Sequence, residues 1–227
     1  PDQNTSPTAA QLRWDPFPSV ASDTTWLTGL ATVATNGNSE MQAGGAVHHF
    51  VASQSMGDTA FVNTDGELML VPYDGQLSIK TEMGHLEVKP GHIAVIPRGV
   101  KFSVDLSTDS ARGYVCENYG ANFSLPEHGL VGVDANALPR DFEYPIAAYD
   151  RDDRSTRLVA KISGQLFSTE LEHSPFDVVA WHGNLAPYRY ELRRFCALGP
   201  VVFDHPDPSI WTVLSSSSDT PGTANLD

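Results

Sequence analysis

The sequence predicts an all-β protein, a sandwich or barrel of short strands with long irregular loops, and three observations point there. The first is strict alternation. Leu77 and Ile79 alternate with Ser78 and Lys80, and Leu86 and Val88 with Glu87 and Lys89. Phe102, Val104 and Leu106 alternate with Ser103, Asp105 and Ser107. A period of two places one face of a strand in a core and the other toward water. The second is punctuation. Asp65-Gly66, Asp74-Gly75, Met83-Gly84, Pro90-Gly91 and Arg98-Gly99 fall between the alternating runs at regular intervals. Short, evenly spaced strands separated by such turns build sandwiches and barrels. The third is that no stretch of about 15 residues carries the 3.6-residue apolar period of an amphipathic helix.

Taken in order, residues 1–11 are polar and rich in Pro, Ser and Thr, and predict a frayed arm. Residues 12–150 form a first β-domain, with its strands between about Gly45 and Tyr119. Its tail, 120–150, carries Pro126, Gly129, Gly132, Pro139 and Pro145 and predicts a long irregular excursion. Residues 151–227 form a second β-region, with strands expected near 157–172, 178–181, 190–197 and 210–214. The chain opens on Pro1 and closes through Ser215-Ser216-Ser217-Ser218, and both ends are expected to be edges of a longer polypeptide.

The 227 residues carry a formal net charge of −14. That field argues against nucleic acid and anionic membrane as partners, and an anionic ligand would need local Arg or Lys to overcome it. No apolar run reaches the length of a membrane span, and no leader is expected ahead of the domain-like sequence. Cys116 and Cys196 alone do not make a disulfide framework, so a reducing cytoplasm is the expected setting.

Two regions could carry chemistry. The first lies in the strand block. Five residues separate Gly91 from Pro97-Arg98-Gly99, and upstream Glu67-Leu68-Met69-Leu70-Val71 leads to Gly75. These resemble the second cupin motif and the end of the first. Metal-binding cupins place H-x-H before the acid and a further histidine after P-x-G. Here Phe61 and Asn63 stand at the H-x-H position and Phe102 near the last histidine. A phenyl ring cannot ligate a metal, and one carboxylate with one amide holds iron or zinc weakly. The expectation is a metal-free, cupin-like scaffold. His48 and His49 are adjacent on a strand and should point to opposite faces, in packing or surface roles. His85, His92, His128 and His173 stand out neither by context nor by spacing.

The second region is Phe203-Asp204-His205-Pro206-Asp207-Pro208-Ser209. Each proline fixes its own φ and drives the preceding residue, His205 and then Asp207, into an extended conformation. The result is a stiff loop that aims an imidazole with a carboxylate beside it, and aim is what a general base requires. A plain surface turn is the alternative. Asp204 or Asp207 could hold the other ring nitrogen and fix its tautomer. Upstream, His182 in Trp181-His182-Gly183-Asn184 either serves as a ligand, contributes a supporting hydrogen bond, or ties down the loop under Trp181, and Tyr188 and Tyr190 could form an aromatic wall.

Segments 174–184 (SPFDVVAWHGN) and 203–214 (FDHPDPSIWTVL) resemble the homogentisate 1,2-dioxygenase family. Supporting blocks are LRWDPFP at 12–18, NTDGELMLVP at 63–72, RGY at 112–114, NYGANFSLPEHGLVG at 118–132 and NALPRDFEYPIAAY at 136–149. The resemblance implies a bicupin whose first cupin is ion-free and whose second holds non-haem Fe(II). It implies opening of the homogentisate ring with O₂ to maleylacetoacetate in phenylalanine and tyrosine breakdown, by trimers or hexamers. On that likeness His205 is the proton acceptor. The family's iron ligands, two histidines and a glutamate, fall beyond Asp227, so Fe(II) belongs to the complete enzyme and no metal ligand is expected within residues 1–227. The rival expectation is a metal-free structural or oligomerisation module with no catalysis of its own.

Overall fold

The computed structural model describes residues 22–126, 135–151, 153–180, 185–197 and 212–227. Nine strands follow one another first: β1 (Leu30–Asn38), β2 (Ala43–Ala52), β3 (Thr59–Asn63), β4 (Glu67–Asp74), β5 (Leu77–Thr81), β6 (Gly84–Val88), β7 (His92–Ile96), β8 (Lys101–Leu106) and β9 (Ala111–Asn118). The rest are shorter or later: β10 (Ala135–Asn136), β11 (Phe142–Glu143), β12 (Thr156–Ile162), β13 (Gln165–Leu171), β14 (Tyr188–Glu191), β15 (Cys196–Ala197), β16 (Ser216–Ser217) and β17 (Ala224–Leu226). The helical turns among the described residues are single 3₁₀ turns at Pro139–Asp141 and Leu192–Arg194.

Two large sheets form the body. One runs β1-β2-β9-β4-β7-β14-β11 and the other β13-β12-β3-β8-β5-β6, with β10-β15 and β16-β17 as small pairs. The pairings are antiparallel except that β12 lies parallel to β3. Where the sequence alternates, burial alternates with it: β5 and β6 bury every second residue. The turn between β4 and β5 needs Gly75, whose φ is +75° and where a Cβ would sit 2.1 Å from the Ser110 carbonyl oxygen.

Between the sheets lies an apolar core of Trp26, Phe50, Phe61, Leu70, Ile79, Val104 and their neighbours. A second cluster, including Ile93, Val95, Phe123, Tyr190 and Leu214, covers the opposite face of the seven-stranded sheet. That explains β7, His92-Ile93-Ala94-Val95-Ile96, in which all five residues are buried. A strand covered on both faces loses its polar alternation.

Three local expectations differ from the structure. Residues 178–180 form no strand; Val178 and Val179 are about half exposed, and the backbone there is held by the Ala180 N–H donating to the Glu82 carbonyl. Residues 212–214 are likewise not a strand, although Ser215 bridges Ser124. The first sheet also begins earlier than Gly45, with β1, whose largely exposed and polar residues give no alternation to read.

Candidate functional site

The positions that resemble a cupin metal site do not converge. Phe61 and Phe102 are paired across β3 and β8, and their rings meet edge to face with centroids 5.6 Å apart, both beside Trp26. Asn63 follows Phe61 by two and shares its inward face. Its amide donates to Glu117 Oε1 at 2.7 Å. Glu67 lies across the sheet, on the opposite face, where its carboxylate accepts the Phe123 backbone N–H at 2.7 Å. Two aromatic rings, an amide bound to another acid and a carboxylate turned outward do not fit an iron ion.

A buried ionic knot stands at one end of the interior instead, centred on Glu117, which is 1 % exposed. One carboxylate oxygen accepts Asn63 and the Lys161 ammonium; the other accepts His48 Nε2 at 3.1 Å and the Tyr119 hydroxyl at 3.3 Å. Lys161 also pairs with Asp65 at 3.2 Å, and Asp65 in turn takes the Ser163 and Gly164 backbone N–H groups. A carboxylate only accepts, so His48 donates from Nε2, and its Nδ1 is hydrogen-bonded to the Thr32 hydroxyl at 3.0 Å. These donors outweigh the cost of burial and hold Glu117 down at about 2. Burial and the neighbouring Glu117 push the Tyr119 phenol well above its ordinary range. The knot ties β1, β2, β3, β9 and β12 together and floors a cavity of about 330 Å³.

Glu67 is also buried, 3 % exposed, with the reverse outcome. Desolvation dominates over its bonds to Phe123 and Asn118 and over the Arg98 charge, and raises it to about 7. The Tyr188 hydroxyl, electrostatically coupled to Glu67, is buried without a hydrogen-bond partner among the described residues.

His48 and His49 do point to opposite faces, and both are buried in packing roles. His49 reaches the Tyr73 hydroxyl at 2.8 Å, and burial with Arg112 nearby lowers its basicity. His92 is buried too, with its basicity lowered by burial, Arg189 and Lys89. His173 pairs with Asp177 on the surface at 2.9 Å, and His85 is exposed. His128, His182, Asp204, His205 and Asp207 lie outside the described residues. Tyr188 and Tyr190 stack against Phe142, with centroids 5.5 and 4.7 Å away, in the second cluster. Sequence reasoning missed Glu117, Lys161 and Asp65. The available signal was a Glu and a Lys inside otherwise apolar strands, at 115–117 and 158–162.

A double-sheet body with the two glycine turns of a cupin, and packing rings where ligands would stand, defines a cupin scaffold. The family model described as homogentisate 1,2-dioxygenase N-terminal matches residues 1–192, and the one described as homogentisate 1,2-dioxygenase C-terminal matches residues 193–227. The chain belongs to the homogentisate 1,2-dioxygenase family. It is 54 % identical over 218 residues to a homogentisate 1,2-dioxygenase of Rhodopseudomonas palustris, which is 96 % of this chain and 49 % of that protein. A relative of the same description from Nitrobacter hamburgensis is 52 % identical with the same coverage. The chain therefore spans about half the length of the curated relatives it matches. Among solved structures it is similar to an RmlC-like cupin family protein with a double-stranded β-helix fold from Methanocaldococcus jannaschii. That likeness has 14 % identity and TM-score 0.37, over 48 % of this chain and 93 % of the other. A cupin 2 conserved barrel domain protein from Leptotrichia buccalis gives 11 % and 0.35, over 78 % and 86 %.

Proposed function

We propose that this chain is the N-terminal and central portion of a ring-cleaving dioxygenase that converts homogentisate and O₂ to maleylacetoacetate. The observation that carries the reading is 54 % identity across 96 % of the chain to a protein of that description. Within it, the residues described above serve as scaffold: the ring-filled interior and the Glu117 knot give a rigid body on which the rest of the polypeptide is built. The iron of the complete enzyme is assigned to residues beyond Asp227, because the cupin positions here do not fit it.

His205 is the chemically active residue of this portion. Neutral imidazole, with an ordinary pKa near 6.5, accepts the proton of a substrate ring hydroxyl, and Pro206 and Pro208 after it limit how far the segment can swing. Asp204 or Asp207 holds the second ring nitrogen. The same reading makes the complete protein a cytoplasmic homo-oligomer, trimer or hexamer, acting on a small aromatic acid in phenylalanine and tyrosine breakdown. A second reading, an assembly module without catalysis, is favoured for the 227 residues taken alone by the outward turn of Glu67.

In the complete polypeptide, His205→Ala is expected to lower kcat by about 10²–10⁴ while iron content stays at the wild-type level. Unchanged turnover removes His205 from the mechanism. Asp204→Asn and Asp207→Asn, compared in the same assay, identify the orienting carboxylate as the one whose loss lowers kcat.

A further inference from the structure

Arg98 belongs to the Pro97-Arg98-Gly99 turn, and neither the scaffold nor the proposed chemistry uses its charge. Its guanidinium offers five N–H donors and makes one hydrogen bond among the described residues, from Nη2 to the Tyr119 carbonyl at 3.0 Å. Arg98 lines a cavity of about 570 Å³ together with Gly120, Ala121, Asn122 and Ser217 to Asp219. That volume lies in the range that holds small molecules.

We propose that this cavity is a binding site for a small organic monocarboxylate, anchored by Arg98. A planar guanidinium matches a carboxylate as a two-pronged donor. Two further donors stand ready in the wall, since the Asn122 amide and Ser217 hydroxyl make no hydrogen bonds among the described residues, and both side chains are exposed to the cavity. Asn225 also lines it but is already committed to Gly44 and Asn118. The surroundings set the ligand's charge. Asp219 lines the same cavity without an ion pair to Arg98 among the described residues, and Glu67 feels the charge of the guanidinium. In a chain of net charge −14, the Asp219 carboxylate, joined by Glu67 when it is ionised, opposes a dianion far more than a monoanion. The site selects one negative charge on a planar group, carried by an apolar or small body.

Binding also couples to Glu67, which faces Arg98 and Tyr188 as its charged or titratable neighbours, beside the uncharged Phe123 and Asn118. An anion on Arg98 withdraws the charge that favours ionised Glu67, so binding takes up a proton and tightens as pH falls through about 7.

The test is ligand-observed NMR titration of the 227-residue chain. Phenylacetate and acetate are the probes, benzyl alcohol the neutral control and sulfate the dianion control. Both carboxylates are expected to bind saturably, and the two controls to bind at least tenfold more weakly. Arg98→Met should abolish binding. Arg98→Met also removes the bond to Tyr119, so Ser217→Asp provides the second arm: it adds a carboxylate at an exposed position and should weaken binding about tenfold (~1.4 kcal/mol) with unchanged Tm. Glu67→Gln should flatten the pH dependence between 6 and 8. Absence of saturable carboxylate binding overturns the proposal, as does binding that survives both Arg98→Met and Ser217→Asp, or equal binding of benzyl alcohol. The measurement involves no iron and no turnover, so its failure leaves the homogentisate reading untouched, and the converse holds.

Discussion

Glu67 and Glu117 sit on adjacent strands, β4 and β9, at opposite faces of one sheet, and both are almost completely buried. Their protonation differs by roughly the full carboxylate range, about 7 against about 2. Burial alone does not decide the state of an acid. Glu117 has four donors, two of them able to carry charge; Glu67 has a backbone N–H, an amide and a more distant guanidinium. One acid is a structural anion. The other is poised to hold or release a proton near neutral pH. The acid that the cupin-like motif singles out is the poised one, and the acid that organises the interior lies in no motif.

The largest effect expected from breaking this contrast is at Glu117. Glu117→Ala leaves Lys161, Asn63, His48 and Tyr119 without their common acceptor, and removing one partner of a buried pair costs about 3–5 kcal/mol. Denaturant unfolding should show it, and a loss below about 1 kcal/mol would place the knot's stabilisation elsewhere. In the wild type the folded-state pKa of Glu117 lies below its ordinary 4.5. Its contribution is therefore present above that value and is lost as pH falls from there toward about 2.

Glu67 carries the opposite sign. Its folded-state pKa is raised, so the folded chain binds more protons than the unfolded one between 4.5 and about 7, and stability declines as pH rises through that window. Glu67→Gln should remove the decline, stabilising the chain by about 1–3 kcal/mol at pH 8 and leaving it nearly unchanged at pH 4. Equal Tm shifts at both pH values contradict a raised Glu67. The smallest effect is at the rim of the knot. Thr32→Val removes one hydrogen bond to His48 Nδ1 and should cost about 0.5–1.5 kcal/mol, read in the same unfolding experiments.

Much of the fold was legible. Alternation at 77–80 and 86–89 marked β5 and β6, because those strands alternate between a buried and a wetter face, and alternation at 102–107 marked β8 although Ser103 is buried there between Phe102 and Val104. The glycine turns marked where they end. The limits of that reading are physical. β1 is largely exposed on both sides and gives no periodic signal, while β7 is buried throughout because two clusters cover it. The site was half legible. Phe61 and Phe102 showed that the ligand set was broken, since no neighbour makes a phenyl ring a donor. The Glu117 knot was not visible, because its members are up to 113 residues apart (48 to 161) and only folding brings them together. The proline-stiffened His205 segment remains a reading of local chain chemistry.

The proposed division of labour makes this half a scaffold and places iron on residues beyond Asp227. Iron stoichiometry after anaerobic loading and gel filtration, measured side by side on the 227-residue chain and the complete polypeptide, tests it most directly. The expected result is about one Fe(II) per complete polypeptide, as one set of two histidines and a carboxylate holds one ion, and a substoichiometric trace on the shorter chain. Stoichiometric iron on the 227 residues alone would contradict it.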